Sequence, residues 1–123
     1  MQSSMVDLLL TALVSAEVVT VNKPWGVEHI VKLDDCLVKV ITVNEGHQTS
    51  LQYHNVKKET IVPLMGSGMV MVKQPGHVAF HQAGSPVYIK PGTVHRAIGP
   101  ITMLEVTTLE NDDVVRVEDP YGR

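Results

Sequence analysis

A chain of 123 residues is long enough for one domain with a true core. Hydrophobic residues at 44% and charged residues at 19% are ordinary for a soluble globular protein, and a formal charge of -3 argues against a general nucleic-acid binder, which would show a basic stripe. Aromatics at 4% leave the core to aliphatic side chains, whose β-branched members favour strands.

Residues 1–16 read as a short helix. Ser3 or Ser4 can cap it, Asp7 sits in its first turn, and Met5, Leu8, Leu9, Ala12, Leu13 and Ala16 line one face. No Lys or Arg precedes the apolar run from Leu8 to Val14, so it does not read as a secretory leader, and it is too short to span a bilayer. Leu10 and Val14 widen the stripe beyond what one small barrel buries, which predicts packing on a second copy as a homodimer.

From residue 17 the pattern changes to short apolar runs with turn signals between them. Strands are predicted over Val18-Val21, Val27-Lys32, Leu37-Val43, Ser50-Tyr53, Thr60-Leu64, Met69-Lys73, Val78-His81, Pro86-Ile89, His95-Ala97, Thr102-Thr108 and Val114-Val117. Asn44-Glu45-Gly46, Pro75-Gly76, Gly84-Ser85-Pro86 and Pro91-Gly92 mark breaks between them. So many short strands predict an all-β sandwich or barrel forming one domain over residues 17–123. The only cysteine, Cys36, excludes an internal disulfide and fits a reducing, cytoplasmic compartment; with Asp34 and Asp35 beside it, it reads as structural. Lys57-Lys58 reads as solvated loop, and His29 and His47 as exposed. His77 and His81 share a strand face, with no third ligand evident.

Two stretches carry chemistry. In Gly46-His47-Gln48-Thr49-Ser50-Leu51-Gln52-Tyr53-His54, a strand turns Gln52 and His54 to one face, and Glu59 opens the next strand. In Lys90-Pro91-Gly92-Thr93-Val94-His95-Arg96, a tight turn delivers His95 from elsewhere in the barrel. Gln52, His54, Glu59 and His95 together offer two imidazoles, one carboxylate and one amide oxygen. This set suits one divalent metal, Zn²⁺ first, with Mn²⁺, Fe²⁺ or Ni²⁺ as alternatives, and leaves positions open for a ligand. With Glu59 as its only anion, the metal site keeps a net positive charge suited to an anionic ligand.

These residues resemble the two motifs of the cupin superfamily, with Gln52 standing where most cupins carry the first histidine. Lys23-Pro24-Trp25-Gly26, Ser50-Leu51-Gln52-Tyr53-His54 with Lys58-Glu59, and the tail from Asp112 to Arg123 are similar to the cupin domain of type II mannose-6-phosphate isomerases. The resemblance covers residues 22–123 and implies a double-stranded β-helix, a jelly-roll barrel. These residues hold no nucleotidyltransferase domain, so guanylyl transfer is not implied, and Lys23 replaces a common arginine.

The resemblance also implies aldose–ketose isomerisation of a phosphorylated hexose. Glu105, mid-strand among apolar residues, is then the candidate base, with Lys39 as its tuning cation or simply its ion-pair partner. Arg96 is the first candidate for the phosphate, with Lys90 and Arg123 behind it, and Trp25 can wall the pocket. The expected partner is a small sugar or sugar phosphate, without nucleic acid or membrane. A non-catalytic sugar- or sugar-nucleotide-binding protein and another metal-dependent cupin chemistry are the competing readings.

Overall fold

A computed structural model describes residue 7 and residues 17–123. The predicted N-terminal helix and its dimerising stripe lie outside the described residues. The remainder is all strand and turn: β1 (Val18–Lys23), β2 (Gly26–Lys32), β3 (Leu37–Val43), β4 (Leu51–Tyr53), β5 (Glu59–Met65), β6 (Met69–Gln74), β7 (His77–His81), β8 (Val87–Ile89), β9 (His95–Ile98), β10 (Ile101–Thr107) and β11 (Val115–Glu118). Among the described residues, no helix is long and apolar enough to cross a membrane.

The strands form two antiparallel sheets in the orders β1-β2-β3-β10-β5-β8 and β11-β4-β9-β6-β7. Consecutive strands repeatedly change sheet, as in a jelly roll. The large sheet is organised around β10, which pairs along its length with β3 and β5. Alternation decides what faces inward: Lys39 and Ile41 on β3, Met103 and Glu105 on β10, and Glu59 and Ile61 on β5 are all buried. Opposite them, β9 turns in His95 and Ala97 and β6 turns in Val70 and Val72.

The core is aliphatic, as the composition predicts. Ile41, Val43, Ile61, Val70, Val72, Val87, Ile89, Ala97 and Ile101 pack with Met103 and Trp25, and Tyr121 of the tail covers their edge. Each fully buried Val or Ile contributes roughly 1.5–3 kcal/mol. This apolar packing fills one part of the interior and holds a polar part open beside it.

Two close approaches fix the strand connections. A Cβ on Gly99 would lie 2.0 Å from the Asn44 carbonyl oxygen, so the β9–β10 turn packs backbone on backbone against the loop after β3. Gly92 has φ +83° in the turn before β9, a left-handed conformation that favours glycine. Its N–H donates to the carbonyl of His54 at 2.7 Å, which ties the second motif to the first through the main chain.

Candidate metal centre

Both sheets build the centre, β4 and β9 from the small one and β5 from the large one. Gln52 on β4 lies directly opposite His95 on β9, so their side chains share the inner face. His54 follows two residues beyond Gln52, just past the end of β4, and Glu59 enters from the first position of β5. The Nε2 atoms of His54 and His95 lie 2.9 and 3.0 Å from the same oxygen, Oε1 of Glu59. All three side chains are buried.

The other nitrogen of each ring settles its tautomer. Nδ1 of His54 lies 2.6 Å from the carbonyl oxygen of Asp113, and Nδ1 of His95 lies 2.9 Å from that of Thr93. A carbonyl only accepts, so both Nδ1 atoms carry hydrogen and donate. Each ring then turns its Nε2 to Glu59, and the ligand atoms of the three side chains lie within 4.8 Å of one another. Two imidazole nitrogens and a carboxylate oxygen so placed are a set that could hold one divalent ion. Among the described residues no other group of His, Cys, Asp or Glu is placed to hold a metal, and His77 and His81 do not form one. Gln52 lines the same cavity with its Oε1 accepting from the Ser50 hydroxyl at 2.7 Å.

Charge around the centre is strongly biased. Burial pushes the Glu59 carboxyl up, but hydrogen bonds from His54, His95 and Glu105, with the charge of Lys57, overcome it and hold the group well below the usual carboxylate range. Glu105 goes the other way. Burial, then the charge of Glu59 and the hydrogen bond to it, push its carboxyl well above the usual range, and Lys39 and Lys57 only partly oppose this. Two neighbouring carboxyls are thus pushed in opposite directions.

Support comes from the loop after β10. The carboxylate of Asp113 accepts from the main-chain N–H groups of Asn55, Val56 and Lys57 at 3.1, 2.7 and 2.8 Å. Those hydrogen bonds lower its pKa from 3.8 to about 2. Asp113 thereby grips both the His54 ring and the connection that carries Lys57 and Glu59. Nothing local in the sequence marks this residue, because its partners lie more than fifty positions earlier.

The cavity has a volume of about 530 Å³, within the usual range for a small-molecule site. Trp25 is both a wall of it and a core residue, buried to 4% exposure. Glu105, Lys39 and Arg123 line it too. Several expectations need correction. Lys57 is not solvated: it is 5% exposed and its Nζ lies 3.8 Å from Oε2 of Glu59. Lys39 faces Glu105 in register, yet its ion pair is with Glu28 at 3.7 Å and its hydrogen bond is to Asn111 at 2.7 Å.

Arg96 borders the cavity, but it lies opposite Met71 and alternates with His95, so its side chain takes the other face of β9. There its Nε donates to the Thr49 carbonyl and its Nη1 approaches Glu118. Lys90 is exposed in the turn after β8 and is not among the residues lining the cavity. His29 and His47 are half-buried: His29 meets the Thr20 hydroxyl at 3.0 Å, and His47 stacks on Tyr121 and meets its hydroxyl at 2.7 Å. Arg116 lines the cavity as well, a place for which the tail motif alone was no signal.

A jelly-roll barrel with two histidines and a glutamate converging inside it defines a cupin. Solved structures agree on the fold. A cupin-2 domain protein of Rhodospirillum rubrum superposes with a TM-score of 0.65 at 15% identity, covering 83% of this chain and 75% of that one. Oxalate decarboxylase of Bacillus subtilis gives 0.68 at 13% identity, covering 82% of this chain and 30% of that one. At such identities the likeness concerns the fold alone.

Within that class, the family described as mannose-6-phosphate isomerase C-terminal matches residues 14–119, and the chain belongs to it. Among curated relatives, the mannose-1-phosphate guanylyltransferase ManC of Salmonella typhimurium is 35% identical over 111 residues, 84% of this chain and 23% of that protein. The alginate biosynthesis protein AlgA of Pseudomonas aeruginosa is 32% identical over the same 111-residue length, again 84% of this chain and 23% of the relative. The chain therefore spans less than a quarter of the length of these relatives.

Proposed function

We propose that the protein is a metal-dependent isomerase of a phosphorylated hexose, of the mannose 6-phosphate to fructose 6-phosphate kind. The observation that carries the reading is the convergence of two imidazole nitrogens on one buried carboxylate, beside a second buried carboxyl, in a cavity of small-molecule size. His54, Glu59 and His95 would hold the ion, with Gln52 as a fourth donor, and Zn²⁺ suits this nitrogen and oxygen set. A bound ion would supply a Lewis acid able to polarise a carbonyl and stabilise negative charge on its oxygen.

The rest falls to the chain's own groups. Isomerisation moves a proton between adjacent carbons, so it needs a side chain that can both accept and return one. Glu105 is that side chain. A carboxyl raised toward neutrality by burial exchanges protons near working pH far better than an ordinary carboxylate. Lys39, its neighbour across β3 and β10, is buried at 4% exposure and places an ammonium where charge would otherwise be uncompensated. Trp25 walls the site away from water, and Arg123 supplies positive charge. Six cationic and four acidic side chains line this cavity of an otherwise acidic chain, a balance that favours an anionic substrate.

Kinship with guanylyltransferases of mannose 1-phosphate, as their names describe them, supports a mannose phosphate as the first compound to test. The assay is direct. Metal-loaded protein is mixed with mannose 6-phosphate and fructose 6-phosphate is followed over time. Turnover that disappears in Glu105→Gln, while metal content stays at wild-type level, is the expected result. Binding of the sugar phosphate without any turnover overturns the isomerase in favour of a sensor or carrier.

A further inference from the structure

The geometry points to Arg116 as the residue that grips the phosphate of the ligand, an inference that rests on the sugar-phosphate reading above and adds the residue that selects for it. Register places it. Arg116 on β11 lies opposite Gln52 on β4, and Gln52 lies opposite His95 on β9. Residues directly opposite share a face, so Arg116, Gln52 and His95 form one row on the inner side of the small sheet. At 4.7–4.9 Å between strands, the Arg116 main chain stands roughly 10 Å from that of His95, and the residue is exposed while lining the cavity.

Charge accounting then separates it from the other cations of the cavity. Lys39 is paired with Glu28, Lys57 with Glu59, Arg96 with Glu118 and Arg123 with Asp119. Among the described residues Lys23 and Arg116 alone line the cavity with no acidic group in ion-pair range. Of these two, Arg116 is the one in register with Gln52 and His95. Its planar guanidinium can present two parallel N–H groups to two phosphate oxygens, a geometry lysine lacks. It sits on an edge strand, so the mouth of the cavity can stay wet for a doubly charged group while the sugar end enters the buried centre. Arg96, beside the metal ligand in sequence, is turned to the other face, and Lys90 lies outside the cavity.

The test measures binding of three probes to metal-loaded protein: inorganic phosphate, mannose 6-phosphate and unphosphorylated mannose. Arg116→Ala should weaken both phosphate probes by about 10- to 100-fold, the span of one charge-assisted hydrogen-bonded contact. Mannose and bound metal should be unaffected. Arg116→Lys should recover part of the loss, because charge returns without the paired geometry. An unchanged thermal melt shows that the variant folds. Should mannose 6-phosphate fail to bind while phosphate binds in an Arg116-dependent way, the subsite stands and the sugar-phosphate reading falls. Equal losses for mannose and its phosphate, unchanged phosphate affinity in Arg116→Ala, or no phosphate binding by the wild type each overturn the assignment.

Discussion

Along β5 the buried inward side chains run Glu59 then Ile61, and along β10 they run Glu105 then Met103. Two residues of travel separate a carboxyl cluster from an aliphatic core, on the same strands and at similar burial. The apolar half is held by packing, which is forgiving in detail because any well-shaped hydrocarbon restores most of it. The polar half is held by named partners: Glu59 by two histidines and Lys57, Lys39 by Glu28 and Asn111, His54 by Asp113. Removing one partner leaves another group buried and unpaired, so this half tolerates far less chemistry. One barrel thus teaches that burial alone says little about what a position needs.

Substitutions can break that contrast. The largest effect belongs to the centre itself. His95→Ala should abolish stoichiometric metal, checked by elemental analysis of purified protein, with a loss beyond the roughly 10- to 100-fold that supporting hydrogen-bond partners carry. Next comes the apolar half. Met103→Ala should cost about 2–5 kcal/mol in denaturant unfolding. The metal affinity of whatever remains folded should be that of the wild type, and a parallel loss of metal would mean that the two halves are not separable.

Asp113→Ala sharpens the comparison from the polar side. It leaves every ligand in place but removes the acceptor for three main-chain N–H groups. Metal affinity by chelator competition should fall by about 10- to 100-fold, with faster amide exchange over residues 55–57. The smallest effect is acid sensitivity. Asp113 and Asp119 both have pKa values lowered from 3.8 to about 2, so their contribution is complete above pH 3.8 and is lost as pH falls through 2. Stability measured between pH 4 and pH 2 should decline, and Asp119→Asn should flatten the decline. An unaltered slope in that variant would remove Asp119 from the account.

Much of the fold was legible because strand periodicity is local. Each of the eleven predicted strands appears within two residues of its expected ends. The coarse metal set was legible for the same reason: alternation turned Gln52 and His54 together, and Pro91-Gly92 signalled the turn before His95. What stayed hidden depended on register between distant segments. Lys57 looked like half of a solvated pair, and only the return of β5 buries it against Glu59. Lys39 took Glu28 because β2 lies against β3, an adjacency that spacing does not encode. Arg96 borders the cavity yet takes the other face of β9, a placement that alternation with His95 already allowed. Arg116 needed two sheet registers before its position had meaning.

The segment between β10 and β11 breaks a familiar expectation about connections. Surface links of this kind normally accept insertions and drift freely, since little depends on their path. Here a few consecutive residues serve several masters, with Asn111 engaging Lys39, Asp113 engaging residues 54–57, and Asp112 and Val114 forming cavity wall. Lengthening the link by even one residue would throw these duties out of phase, so the length of this connection is as tightly specified as the packing of the hydrocarbon interior.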